Sequence, residues 1–545
     1  MLREPILPIV STDSRPSVPV PVAIVQLSVD GHQVEVADDG GSLLDALRDQ
    51  LGALSAKDGC SPQGQCGCCT VLVDGAARVA CVTPLRRMAG REITTLEGLP
   101  EPVGAAWAEA FCATGASQCG FCTPGIIVRL EGLRAKTSGS IGTDAVERAM
   151  QAHLCRCTGW QTITEAVAVM TGAADAPGAG QPSRRDYGAA AQRAELEGRS
   201  PQRVGPEIAW GRGGFAVDGA PDGALSAVIG ADGRWIVAET LAEARRLAAK
   251  VQGRRTTVEA HPPVELPEGD WALTLRTSWV EPAYLETDAS WCEPGGEPAT
   301  PLANGGAFGA KLASVAPGVA RALADEHGRA VRVVLSREDS VRLGSKRPPM
   351  AIGIRPDGTG VARVVRTPGI AAAIASAAPG LEVVEVDVIG PTTSTALRGA
   401  GWAEAAVVRA GLAPAGTPSV VVTPEGGRAE ASVDPDGTIR VHVACGRPLD
   451  VVVARSYAIG AAHMALGWVT SEGLAVDDEG EIQDLTIRSF GVVRSIDVPA
   501  IVVTIEADDG DPVNGSDAVF AAVAAAVWRH QGCPPEWPTH RRLRV

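Results

Sequence analysis

The sequence has no long apolar run, no basic excess and no glycine motif of a nucleotide site, and each absence removes a class of function. The longest apolar runs, such as VFAAVAAAVW from Val519 to Trp528, fall well short of the roughly 20 residues a spanning helix needs. No membrane span is therefore expected. Asp and Glu number 64 against 49 Lys and Arg, a formal net charge of −15. That is the wrong sign for a phosphate backbone, so nucleic acid is not an expected partner. There is no G-x-G-x-x-G and no P-loop, which leaves dinucleotide and ATP binding unsupported. No internal repeat is present. The opening stretch, MLREPILPIVSTDSRPSVPVPV, is rich in Pro and Ser. It has no continuous apolar h-region and no A-x-A cleavage site, so it makes a poor signal peptide. Residues 1–21 are expected to form a flexible arm on a cytoplasmic protein that meets other proteins.

What the sequence does have is concentrated sulfur. Ten of its 13 cysteines lie between Cys60 and Cys157. A large, unsecreted chain uses cysteines for metals rather than disulfides. The isolated Cys292, Cys445 and Cys533 read as small buried hydrophobes. The densest stretch, DGCSPQGQCGCCT, holds Cys60, Cys66, Cys68 and Cys69. With Cys81 the spacing is C-x5-C-x2-C-x11-C over Cys60, Cys66, Cys69 and Cys81. Plant-type [2Fe–2S] loops use C-x4-C-x2-C and a distant fourth cysteine. The first gap here is one residue longer, and Pro62 and Gly64 inside it can absorb a bulge. Gly64 and Gly67 let backbone N–H groups approach the sulfurs. Side chains of adjacent loop residues diverge, which makes Cys68 the spectator. A second set is Cys119, Cys122, Cys155 and Cys157, in QCGFCTPG and HLCRCTG. A zinc site with four cysteines also uses C-x2-C pairs and stays the alternative for each set.

The elements around the cysteines are legible. AIVQLSVDGHQVEVA (23–37) and TVLVDGAARVACV (70–82) each place apolar alternation around Asp-Gly, a hairpin signal. Ser42 is a candidate N-cap for LLDALRDQL. From about residue 101 the period turns helical. Thr123 reads as an N-cap with Pro124 at the first helical position, just after Cys122, where a helix N-terminus favours an anionic cluster. Asp144 and Glu147 read as a capping box. Residues 173–215 show no period and read as a linker. Beyond it, short strands and helices alternate.

With both sets in view, GCSPQGQCGCCTVLVDG, QCGFCTPGI and LCRCTGWQTITEAV resemble the iron–sulfur subunit of molybdenum hydroxylases. That family includes xanthine dehydrogenase, aldehyde oxidase and carbon monoxide dehydrogenase. The resemblance runs from Ala23 to Gly172. It implies an α+β chain: a β-grasp, plant-type ferredoxin-like [2Fe–2S] domain over 22–98 and a four-helix [2Fe–2S] domain over 99–172. It implies two [2Fe–2S] clusters, the second near molybdopterin and the first facing FAD. Gln118 would contact the pterin. The family has Ala at Cys68.

Residues 216–545 resemble the molybdopterin-binding subunit in pieces: VEPAYLETDA, NGGAFGAK, VRVVLSREDSVRLGSKRPP and LRGAGWAEA. They imply a shortened, degenerate α+β domain. The segment before NGGAFGAK is too short for the glutamine motif, and no G-Q-G follows Val443. Ala400 stands where the family has a substrate-stacking Phe. Ser516 stands where it has the catalytic Glu, with Asp517 beside it. Ser is a poor general base.

The resemblance therefore implies an electron-transfer subunit, not catalytic alone. A partner would bind molybdopterin and substrate, and another would bind FAD, in a hetero-oligomer such as a dimer of heterotrimers. The C-terminal domain would dock the catalytic subunit. A compact self-contained hydroxylase and a non-enzymatic redox sensor are the rival readings.

Overall fold

The computed structural model describes residues 23–175, 185–250, 259–506 and 508–543. The expected arm at 1–21 lies outside them. The first unit contains β1 (Ala23–Val29), β2 (His32–Asp38), α1 (Leu43–Asp45), β3 (Thr70–Val73), β4 (Ala76–Val79) and β5 (Glu92–Thr94). They form one mixed sheet in the order β2-β1-β5-β3-β4. Both hairpins turn on Asp-Gly at positive φ: Asp30 50°, Gly31 80°, Asp74 48° and Gly75 72°. That turn matches the twist of the flanking strands. Ser42 caps α1 in a reciprocal box: its hydroxyl accepts from the Asp45 N–H, and its own N–H donates to the Asp45 carboxylate.

The helices α2 (Glu101–Thr114), α3 (Thr123–Arg134), α4 (Thr143–Met150) and α5 (Gln161–Met170) follow. Two expected caps shift. The N-cap of α3 is Cys122, with Thr123 already helical and Pro124 one place further in. The N-cap of α4 is Gly142, with no side-chain cap bond. The helix starts one residue before Asp144, so Asp144 falls in the first turn. There it acts through its charge on the helix end instead of closing a box with Glu147.

The segment read as a structureless linker carries a helix. In the described part of it, α6 spans Tyr187–Gly198 and the short α7 spans Pro206–Ala209. Asp186 caps α6, its carboxylate accepting from the N–H groups of Gly188 and Ala189. The buried face is Ala190, Arg193, Ala194 and Glu197. That is helical spacing, but two of the four positions are charged.

The rest runs β6 (Leu225–Ile229), β7 (Trp235–Ala238), α8 (Leu241–Ala248), β8 (Leu273–Thr277), β9 (Ala289–Cys292), α9 (Ala316–His327), β10 (Val331–Val334), α10 (Arg337–Leu343), β11 (Met350–Ile354), β12 (Gly360–Val365), α11 (Ile370–Ala377) and β13 (Leu381–Val386). It continues with α12 (Trp402–Gly411), β14 (Ser419–Val422), β15 (Arg428–Val433), β16 (Ile439–Ala444), α13 (Val451–Thr470), β17 (Ile501–Glu506), α14 (Ser516–His530) and β18 (Glu536–Trp537). The strands form three further sheets, β7-β6-β10-β9, β13-β12-β11-β8-β18 and β14-β15-β16-β17. Strands β16 and β17 pair in parallel, so their connection must cross over, and α13 is part of that crossover.

Helices α13 and α14 are buried continuously, from Ser456 to Thr470 and from Ser516 to Trp528. A helix apolar on all sides belongs in a core. Charged pairs also tie the parts together. Asp218 accepts from Lys57 and, at 2.6 Å, from Arg48. Burial pushes the Lys57 ammonium down, and Asp218 pulls it back up. Arg156 and Glu472 form a bidentate pair at 2.5 and 2.7 Å, both buried. Among the described residues no helix is long and apolar enough to cross a membrane.

Candidate functional site: two buried cysteine groups

Cys60, Cys66, Cys69 and Cys81 come together from the loop before β3 and the turn after β4, each no more than 6% exposed. The long first gap is taken up by two left-handed residues, Ser61 at φ 44° and Gly64 at φ 69°. The N–H groups flanking Gly64, on Gln63 and Gln65, donate to the Cys60 sulfur at 3.1 and 3.4 Å. The Cys81 N–H donates to the Cys69 sulfur at 3.4 Å. Sulfur–sulfur hydrogen bonds from Cys66, then Cys81, hold the Cys60 thiol well below its usual range. The bonds to Cys60 and Cys68 push Cys66 well above it. Those to Cys60 and Cys69 raise Cys81. Cys69 ends this chain of sulfurs at Cys81, and Cys68 ends it at Cys66. The bond to Cys66 lowers the Cys68 thiol, while burial and the neighbouring sulfurs raise it further.

The second group joins the start of α3 to the turn after α4. Cys157 and Cys119 sulfurs lie 3.6 Å apart. A bond from Cys122, then one from the Thr158 hydroxyl at 3.0 Å, lowers the Cys155 thiol to about 6 despite burial. Cys122 and Cys157 are pushed well above the usual range, chiefly by their bonds to Cys155 and Cys119. The sulfurs of the second group thus contact one another in two pairs, and those of the first run in series from Cys66 through Cys60 and Cys81 to Cys69. A [2Fe–2S] centre is held by four cysteine sulfurs, and each group supplies four of them in mutual contact. Among the described residues no three His, Cys, Asp or Glu form a group that could hold a single metal ion.

The two groups adjoin. A Cβ on Gly125, in the first turn of α3, would lie 2.4 Å from the carbonyl oxygen of Gly67. One on Gly59 would lie 2.9 Å from the Cys68 sulfur and 3.3 Å from the Phe121 ring. One on Gly67 would strike the ring of His153 at 2.5 Å. Burial holds His153 neutral, down to about 3.

The C-terminal part closes over both groups. Gly306, from the NGGAFGAK turn, sits where a Cβ would be 2.9 Å from Cys119 Cβ. Asn304 donates to the Cys119 carbonyl at 3.0 Å. Arg337 donates to the Gly59 carbonyl at 2.6 Å and Arg488 to that of Gln65 at 2.9 Å. Gln118 is buried, and its amide nitrogen donates to the Cys157 carbonyl at 3.1 Å and to the Ser456 hydroxyl at 3.0 Å. Sequence reasoning missed Asn304, Thr158, Arg337 and Glu197. Asn304, Thr158 and Arg337 stand inside motifs already singled out, whereas Glu197 is brought in only by the tertiary fold.

At the position expected for a catalytic carboxylate, Ser516 opens α14. Its N–H donates at 2.8 Å to Glu197, a carboxylate delivered by α6. Asp517 accepts from Arg398 Nε at 2.8 Å and from Arg199 Nε at 2.9 Å. Arg398 also donates to the Ser516 hydroxyl. Phe308, Phe520, Trp468 and Arg347 leave about 40 Å³ beside Arg398. Pockets for ligands of cofactor size run to ~300–1,000 Å³, so these residues do not fit a bound molybdopterin. Ala400 is buried with Tyr284, Ala310 and Leu397.

Residues 27–86 match the family described as a 2Fe-2S iron-sulfur cluster binding domain. Residues 95–168 match that described as a [2Fe-2S] binding domain. Each span contains one cysteine quartet. Aldehyde oxidoreductase of Megalodesulfovibrio gigas is 41% identical over 146 residues, 26% of this chain and 16% of that protein. The xanthine dehydrogenase iron-sulfur-binding subunit of Escherichia coli O157:H7 is 39% identical over 147 residues, 26% of this chain and 91% of that subunit. The crystal structure of the aldehyde oxidoreductase from Desulfovibrio desulfuricans is similar at a TM-score of 0.64 and 14% identity, covering 92% of this chain and 97% of that one. At that identity the likeness is one of fold. Two [2Fe–2S]-binding domains, matching a xanthine dehydrogenase subunit almost end to end and set in an aldehyde oxidoreductase fold, place the chain in the molybdenum hydroxylase family.

Proposed function

We propose that this chain is the iron–sulfur electron-transfer subunit of a multi-subunit molybdenum hydroxylase. Cys60, Cys66, Cys69 and Cys81 hold one [2Fe–2S] cluster, and Cys119, Cys122, Cys155 and Cys157 hold the other. Each cluster supplies a one-electron store. The chain's own residues bury the sulfurs, donate N–H bonds to them and press the two sites together; such bonds and burial set the reduction potential. The observation that carries the reading is the contact between the start of α3, which bears Cys122, and the loop that bears Cys66 to Cys69. It gives electrons a short path between the two sites. Gln118 positions the Cys157 carbonyl.

One partner chain holds molybdopterin and substrate, and another holds FAD. The C-terminal part, whose carboxylate Asp517 is engaged by two arginines, serves as scaffold and docking surface. The Ser516 hydroxyl, standing in place of a free carboxylate, cannot take up a proton near neutral pH. The test is the metal content and turnover of the purified chain without partners. Iron without molybdenum or substrate oxidation is expected. Bound molybdopterin with turnover in that sample would overturn the subunit reading and favour a compact hydroxylase. In the assembled complex, Ser516→Ala should leave turnover nearly unchanged. Cys119→Ala should stop electron flow while substrate binding persists.

A further inference from the structure

A cavity of about 430 Å³ opens between α13, the segment that follows it and the C-terminal stretch. Its walls include Leu154, Leu466, Val493 and Leu543, and it is also lined by Arg488, Arg494 and Arg542. Asp497 is the carboxylate in this lining. It accepts from Arg494 Nε at 2.9 Å and from Arg542 Nη1 at 2.9 Å. A guanidinium carries five N–H donors, so both arginines keep donors to spare. Arg488 donates to two backbone carbonyls, those of Gln65 at 2.9 Å and Gln151 at 3.1 Å. Carbonyls bring no net charge. Three cations therefore face one anion, on a chain whose net charge is −15. Burial, and after it the charge of Arg494, hold Arg488 below the usual guanidinium range.

We propose that this cavity binds a phosphate monoester with an apolar or aromatic body. A phosphate monoester carries close to two negative charges near neutral pH. That matches the surplus of two cations, where a carboxylate would leave one unanswered. Guanidinium forks also suit phosphate oxygens in bidentate geometry. The volume lies within the ~300–1,000 Å³ range of small-molecule sites. Inorganic phosphate alone would leave the leucine and valine walls uncovered.

Calorimetric titration of the full chain with phenyl phosphate, inorganic phosphate and benzoate tests this. Phenyl phosphate should bind saturably and at least about ten-fold tighter than either of the others, since each excess of about 1.4 kcal/mol is ten-fold. Arg494→Ala and Arg542→Ala should each weaken it by about ten-fold or more. Asp497→Asn removes the competing carboxylate and should tighten it, a change that misfolding could not produce. Failure of phenyl phosphate to bind, binding indifferent to these three substitutions, or benzoate binding as tightly would each overturn the proposal.

Discussion

Gly460 on α13 lies so close to Cys157 that a Cβ there would sit 1.8 Å from the Cys157 carbonyl oxygen, and 3.4 Å from the Gln118 amide nitrogen. The helix that fills the core of the C-terminal part thus rests directly on the turn that presents Cys155 and Cys157. Gly460→Ala should push the two apart. A typical overpacking cost is ~1–3 kcal/mol. The second cluster's electron-spin signal should broaden or vanish while the first cluster's stays. Two unchanged signals would mean that α13 gives way instead.

Iron analysis should find about four irons per chain, as two [2Fe–2S] centres require. Cys69→Ala should lose one cluster's visible absorption. Cys68→Ala should lose none, since only Cys69 stands at the C-x2-C spacing from Cys66 that plant-type ligand loops use. Stoichiometric zinc, or the opposite pattern in the two variants, would contradict the ligand assignment.

Asp218→Asn should leave the Lys57 ammonium, 1% exposed, without its counter-charge. Removing one partner of a buried pair costs ~3–5 kcal/mol. The midpoint of urea unfolding should fall accordingly. The double change Asp218→Asn with Lys57→Met should recover much of the loss. A single variant as stable as wild type would show that water and the nearby Glu97 carboxylate cover the charge.

Acid should destabilise the fold through His463. Burial is the main cause that holds its ring down to about 4, from an ordinary 6.5. The unfolded chain therefore binds the extra proton between those values, and stability is lost as pH falls through that window. For this one group the slope approaches about 1.4 kcal/mol per pH unit. His463→Gln should flatten the fall in melting temperature between about pH 6.5 and pH 4. An unaltered slope would assign the acid sensitivity elsewhere.

Much of the first 172 residues could be read from the chain alone, because the signals there are local. The Asp-Gly turns, the Ser42 cap and the spacing of the two cysteine sets depend on neighbours in sequence. Helix α6 escaped because Arg193 and Glu197 occupy half its buried face, and they interrupt an apolar period. Only the fold reveals that Arg193 and Glu197 pair with each other at 2.9 Å and that Glu197 caps the start of α14. The engagement of Asp517 was equally invisible, since its partners Arg398 and Arg199 are brought to it by tertiary packing. The offset caps at Cys122 and Gly142 are errors of one or two residues at helix ends, where sequence signals are weakest.

The cysteine loop is held from far downstream. Its Gly59 carbonyl is bonded by Arg337, Gln63 donates to the Leu485 carbonyl at 2.9 Å, and its Gln65 carbonyl is bonded by Arg488. These partners lie 278, 422 and 423 positions along the chain. A ribosome finishes the β-grasp unit long before it makes the residues that cover it. At ~5–20 residues per second, the nascent loop stands uncovered for about 20 seconds or more. That interval should be a window for cofactor insertion, narrowing once Arg488 has been made and folded over the loop. Ribosome-arrested chains ending at residue 480 should accept iron and sulfide faster than the finished protein does.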